Sequence, residues 1–305
     1  MAYALAETIE IGEDQVAVAI THGMLGSHLG VAYRDSAGVA RLLHLAFHRT
    51  LVVDAYPQPD WLAARVPVDE LVGAQIVSLL EGAAKLYPNP RMPESFDYGI
   101  NLLAGQGSIE ASGAYSPKDG CDGYTCASII AEIFRRFGYP LVDLATWPER
   151  DVNRAWGLAI VCMLRAYGAS PEHLAAVERN VSGLRLRPEE VAVAAERFRL
   201  GHASTFLELE GRSEEVMAQV QRECRAPAPP PATHPMAHCV EVFQRAVATA
   251  KVNSSAAQPT IPVIAPSPPA NKARRPNRAW KAKRRRLGAH SRRQRLSSRR
   301  RRKRC

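Results

Sequence analysis

Leu29-Gly30-Val31-Ala32-Tyr33-Arg34, then Asp35-Ser36-Ala37-Gly38, then Ala40-Arg41-Leu42-Leu43-His44-Leu45-Ala46-Phe47: two short apolar runs flank a stretch of turn-forming residues. Asp and Ser side chains bond back to nearby backbone and Gly supplies positive φ, so the pattern predicts a β-hairpin. If the loop is Ser36 to Gly38 with Gly38 left-handed, His28 opposes Ala46 and His44 opposes Gly30. The two histidines then lie diagonally on one face. A two-residue turn would instead put Leu43 and Leu45 on the face of His28, because a one-residue slip turns every side chain over. The sequence leaves both registers open.

Outward from the hairpin, the run 15–21 (QVAVAIT) predicts a further strand. Leu71, Gln75, Ile76, Leu79 and Leu80 predict a helix over 68–86. The stretch 87–122 is rich in Pro, Gly and Ser and reads as a long loop, with Tyr98, Asn101 and Tyr115 its only chemical signature. Ile129, Ile130, Ile133, Phe134 and Phe137 predict a helix over 126–137, with Thr125 as N-cap and Gly138 and Pro140 ending it. From 148 to 252 the pattern is helical, with candidates at 150–167, 171–180, 188–200, 213–223 and 236–252. The class is therefore α+β: a sheet-and-helix core over 1–147, a helical extension over 148–252, and a tail over 253–305.

Charge divides the chain. Residues 271–305 hold 14 Arg and 4 Lys and no acid, so the net charge of +10 belongs to the tail and the remainder is acidic. The Ser/Ala/Pro run at 253–270 and the Arg-rich end have little to bury and are expected to be disordered. Such a tail attracts polyanions, nucleic acid or an acidic surface, without sequence preference. Trp280 is its only aromatic, which gives little for base stacking. A localisation signal and a solubility role are the alternatives. No apolar run is long enough for a membrane span. The start, MAYALAETIEIGEDQ, lacks the basic and apolar parts of a secretory leader. With six cysteines in 305 residues, a cytoplasmic location and free thiols are expected.

Three features carry chemistry: Ser27-His28-Leu29-Gly30 opening one strand, His44 in the next, and Asp122-Gly123-Tyr124-Thr125-Cys126 opening a helix. A cysteine in the first turn of a helix meets unpaired N–H groups and the positive end of the dipole, which favour thiolate. An imidazole on a neighbouring strand can take the thiol proton, and a second polar group can fix its tautomer. His48 has the strand parity of His44 and is the alternative orienter. Cys126 also fits a buried structural cysteine, and His44 a satisfied core histidine. Cys121 and Cys126 form a lone C-x4-C, which is poor evidence for zinc, so neither metal nor cofactor is expected.

The order of strand histidine, strand polar residue and helix cysteine, with the Ser27-His28-Leu29-Gly30 start, resembles the circularly permuted NlpC-type papain-fold cysteine hydrolases, a group that includes lecithin-retinol acyltransferase-like proteins. The resemblance covers roughly 15–138. It implies a papain-like core in which His28 is the base, His44 the orienter and Cys126 the nucleophile toward an amide, peptide or ester. The segment DGYTCASII around Cys126 lacks the Asn-Cys pair of the acyltransferase branch. A nonenzymatic adaptor, with an inert papain-like body and a basic arm, is the second expectation.

Overall fold

In the computed structural model the described residues are 3–89, 92–100, 102, 107–118, 122–228, 231, 237–241 and 243–245. The expected disordered tail at 253–305 and Cys121 lie outside them. Residues 1–257 belong to one unit.

The centre is an antiparallel sheet of β1 (Ala4–Leu5), β2 (Val16–Gly23), β3 (Gly26–Arg34), β4 (Ala40–Phe47), β5 (Thr50–Ala55) and β6 (Trp61–Arg65), in the order β1-β6-β2-β3-β4-β5. The β3–β4 turn is the three-residue one: Gly38 has φ +76°, the Asp35 N–H bonds the Val39 carbonyl at 2.9 Å, and Val31 pairs with Leu43. That is the register that aligns His28 with His44. β1, β5 and β6 extend the sheet beyond the three strands expected from sequence.

Alternation along the strands separates two faces. Val16, Val18, Ile20, Leu29, Val31, Tyr33, Leu43 and Leu45 enter the large core beneath the helices. Ala17, Ala19, Ala32, Leu42 and Ala63 face a smaller cluster with Ala6, Ile11 and Tyr56. The alanines suit that second face because residues 6–11 lie close over it.

Helix α1 (Glu70–Leu86) begins where the Asp69 carboxylate accepts the Val72 N–H at 2.9 Å, and buries Val72, Ile76, Leu79, Leu80 and Ala83. The 87–122 segment carries a two-stranded ribbon, β7 (Ser108–Ile109) and β8 (Tyr115–Ser116). Helix α2 (Cys126–Arg136) has a reciprocal cap: the Ser128 N–H donates to Thr125 Oγ1 at 3.0 Å, and the Thr125 N–H to Ser128 Oγ at 2.8 Å. Ile129, Ile130, Ile133 and Phe134 are buried, each contributing about 1.5–3 kcal/mol. This burial anchors the end that carries Cys126.

Then follow α3 (Asp151–Ala166), α4 (Pro171–Arg179), α5 (Pro188–Glu196) and α6 (Phe206–Glu223). The last begins at Phe206, seven residues before the expected 213, because the Thr205–Glu208 capping pair starts it. Every residue of α5 is buried, and the helix packs on β2, β3, α2 and α6. Its first-turn acids are satisfied. Glu190 accepts from Trp147 Nε1 (3.0 Å) and Arg150 Nη1 (2.5 Å), and Glu189 accepts from Ser27 Oγ (2.5 Å).

The expectation of free thiols fails at one pair. Cys162 of α3 and Cys239 form a disulfide with Cα atoms 5.7 Å apart, across 77 residues of sequence. Spacing alone could not reveal it, since the fold, not the local chain, brings the two together. Cys126 and Cys224 are free and buried.

Candidate active site

His28 and His44 are brought together as the hairpin register requires. Nε2 of His28 lies 2.8 Å from Nδ1 of His44, and Nε2 of His44 lies 3.3 Å from an Asp54 carboxylate oxygen. Asp54 enters from β5, where Val52 is the residue directly opposite His44. The rings of His28 and His44 meet edge to face, and Trp61 packs against both. Gly30 makes room for this: a Cβ there would lie 2.9 Å from Leu42 Cδ1, 3.1 Å from the Leu43 carbonyl oxygen and 3.2 Å from His44 Cβ.

The acceptor chain fixes the tautomers. A carboxylate only accepts, so His44 donates from Nε2 to Asp54 and accepts at Nδ1 from the Nε2–H of His28. The lone pair of His28 is then on Nδ1. Burial, with His44 beside it, pushes His28 down to about 3. Burial also lowers His44, against the opposing pull of Asp54. Both rings are neutral near pH 7, the state a proton acceptor needs.

Cys126 approaches from the other layer. Ser27 reaches Glu189 of α5, so odd-numbered β3 residues face the helices and His28 faces away. The Asp35 N–H is directed at β4, and by the same period of two so is that of Leu29. Pairing with β4 ends at Val31–Leu43, and the Leu29 N–H instead donates to the Cys126 sulfur. The thiol thus bonds the backbone of β3 from the helix side, within the core that holds Leu29 and Val31. No hydrogen bond joins it to the His28 ring. The two groups lie on opposite sides of β3.

A thiolate at the helix start was the sequence expectation. Burial instead pushes Cys126 up to about 11, outweighing the Leu29 and Ala127 N–H groups and the charge of Arg185, while Glu189 adds to the rise. Only 5% of Cys126 is exposed. A dipole and two N–H bonds do not replace the hydration a thiolate loses there.

His48, the alternative orienter, stands elsewhere. With Asp97 and His173 it forms a group whose metal-ligating atoms all lie within 4.8 Å of one another. Those atoms are already engaged. The Tyr98 N–H donates to His48 Nδ1 (3.3 Å), His173 Nε2 donates to the Tyr98 carbonyl (2.9 Å), and Asp97 accepts from Arg49 Nε (2.9 Å). The two imidazoles clamp the Tyr98 peptide, and a cation would have to displace these bonds. Tyr98 in turn lies close enough to Cys126 for the thiolate charge to act on its phenol.

A cavity of about 510 Å³ opens beside β5 and α1, lined by Tyr33, Asp35, Arg41, Asp54 and Glu81 among others; Cys126 is not in its wall. Asp54 thus links the histidine chain to this cavity. Sequence reading missed Asp54, whose only signal was a carboxylate inside an apolar strand. Among the described residues no helix is long and apolar enough to cross a membrane. No family model, curated protein or solved structure matches the chain.

Proposed function

We propose that this protein is a cysteine-dependent hydrolase or acyltransferase of the permuted NlpC-type papain-like kind, acting on an amide, peptide or ester. The observation that carries the reading is the Asp54–His44–His28 hydrogen-bond chain on the strand whose Leu29 N–H bonds the Cys126 sulfur. The Cys126 S–H proton passes to Nδ1 of His28 as the sulfur bonds the substrate carbonyl carbon. The Cys126 N–H at the start of α2 stabilises the oxyanion. The C–N or C–O bond then breaks, and the leaving group takes the proton from His28. Water, or an acceptor alcohol or amine, gives its proton to His28, attacks the thioester and releases the thiol. The step needs a rearrangement that brings His28, on the other side of β3, within hydrogen-bond reach of Cys126.

A panel of p-nitrophenyl esters and aminoacyl-coumarin amides tests this with the full chain. Cys126→Ser and His28→Ala should each lower turnover about a hundredfold or more. Turnover unchanged in Cys126→Ser would sink the nucleophile.

The burial of Cys126 favours one second reading, an inert body whose basic segment 271–305 binds polyanions. Deleting 254–305 separates the two. Loss of heparin retention, with hydrolysis absent from both forms, supports the adaptor; hydrolysis that survives the deletion supports the enzyme.

A further inference from the structure

β5 ends the sheet, so one side of its backbone has no strand beside it. Val52 lies opposite His44 and Asp54 opposite Leu42, and the Tyr56 N–H bonds the Ala40 carbonyl at 3.0 Å. Even-numbered residues therefore make the ladder to β4. By the period of two, the N–H and C=O groups of Leu51, Val53 and Ala55 point the other way. Gln58 Nε2 occupies the Ala55 carbonyl at 2.8 Å. Among the described residues nothing bonds the outward groups of Leu51 and Val53. An unpaired edge of this kind is a template for pairing with another chain.

The cavity of about 510 Å³ follows this edge. Its wall includes Leu51 and Val53, which face the helices, and also Val52 and Asp54, which share the face of His44. Only the edge of the strand is common to both faces. On the helix side the buried Tyr33, Leu51 and Tyr87 make the cavity apolar. The charged groups in the wall are unevenly matched. Arg41 pairs with Asp35 at 3.0 Å, and Lys85 with Glu81 at 3.3 Å. The Asp54 carboxylate, 44% exposed, has His44 Nε2 at 3.3 Å and no Lys or Arg partner among the described residues. A free backbone edge, an apolar recess and a carboxylate that no cation balances therefore meet in one place.

We propose that β5 binds an extended peptide of another protein as an added strand, and that this peptide carries a large apolar residue next to a Lys or Arg. The peptide residue opposite Val53 exchanges backbone bonds with it and sends its side chain to the helix side, against Tyr33 and Tyr87. Its neighbour lies opposite Asp54, where a basic side chain meets the carboxylate at cross-strand distance. Cys126 is not in the cavity wall, so the peptide is a docking partner and not the substrate of that thiol. The inference does not rest on the Cys126 reading.

Fluorescence anisotropy of the full chain with a labelled Thr-Val-Phe-Lys-Val-Thr peptide tests this, beside three analogues. One has Ser in place of Phe, one has Glu in place of Lys, and one has an N-methyl group on the Phe amide. Expected is saturable binding of the parent peptide, weakened about tenfold or more by Ser and about fivefold by Glu. The N-methyl analogue should not bind, because it has no N–H to give the Val53 carbonyl. Val53→Pro removes an N–H that points outward and spares the ladder to β4, and it should abolish binding. Asp54→Asn should erase the preference for Lys over Glu. Equal binding of the parent and N-methyl peptides overturns strand addition, and does so even if Val53→Pro fails to fold. A Lys preference that survives Asp54→Asn overturns the role given to Asp54. Binding of none of the four peptides overturns the proposal, and a dimer in sedimentation velocity that Val53→Pro dissociates would then assign the edge to a second copy of this chain.

Discussion

Nε2 of His28 sits 2.8 Å from Nδ1 of His44, and this bond joins β3 to β4 at the point where their backbone ladder has stopped. Side chains take over from peptide groups there, which leaves the Leu29 N–H for the Cys126 sulfur. His44→Ala removes the acceptor and strands a partly buried N–H. Urea unfolding should show a loss of about 1–3 kcal/mol. Asp54→Asn should cost less, since an amide oxygen can still accept from His44 Nε2. Equal losses for the two would contradict the assigned direction of the chain.

Acid should destabilise the fold through neutral histidines. Burial lowers His28 to about 3, and burial with His173 beside it lowers His48 to about 4. The unfolded chain therefore binds more protons below about pH 6.5, and the stability is complete above that value and lost as pH falls toward the folded values. Each histidine contributes a slope of at most about 1.4 kcal/mol per pH unit, so about 2.7 for these two between roughly pH 6 and 4, and His44, which burial also lowers, adds in the same direction. Chemical denaturation across that range measures the slope, and His28→Asn should lower it by about 1 kcal/mol per pH unit. A slope unaffected by that change means His28 is protonated in the fold.

Alkylation of Cys126 should be slow at neutral pH. With the thiol pushed up to about 11, the rate with iodoacetamide should climb throughout the range from pH 7 to 10 without levelling. A plateau reached near pH 7 would mean that the helix start and its N–H groups outweigh burial after all.

Gly30→Ala should disturb the histidine pair without touching either ring. The added Cβ would crowd Leu42 Cδ1, the Leu43 carbonyl and His44 Cβ, so β4 must shift. The expected cost is about 1–3 kcal/mol, read by thermal or urea unfolding. Gly38→Ala, at φ +76° with open space around it, is strained by conformation alone and should cost about 1 kcal/mol. A stable Gly30→Ala with full turnover would show that β4 yields freely.

The Cys162–Cys239 bond should appear as a linked peptide in a nonreducing digest. Replacing both cysteines by serine should lower stability by about 2–4 kcal/mol, because the bond closes a long loop in the unfolded chain. Recovery of both peptides as free thiols from an unreduced sample would remove the pairing.

By itself the sequence determined what is local. Asp35 to Gly38 mark the turn between β3 and β4 but leave its length open, and only the structure, with Gly38 left-handed and Val31 opposite Leu43, selects the three-residue turn that makes His28 and His44 face each other. Thr125 and Ser128 specify where α2 begins, and therefore that Cys126 opens it. These are contacts within a few residues, governed by backbone sterics and capping. Tertiary structure decided the rest. Which face of β3 meets the helices depends on α5 packing against it, so nothing near His28 could say that its ring lies on the other side of β3 from Cys126. Asp54 joins the chain only through β5, and Cys239 finds Cys162 only across 77 residues. The Cys126 thiol shows the same division: its helix start was legible, but its acidity is set by the core closed around it, and burial there outweighs the dipole.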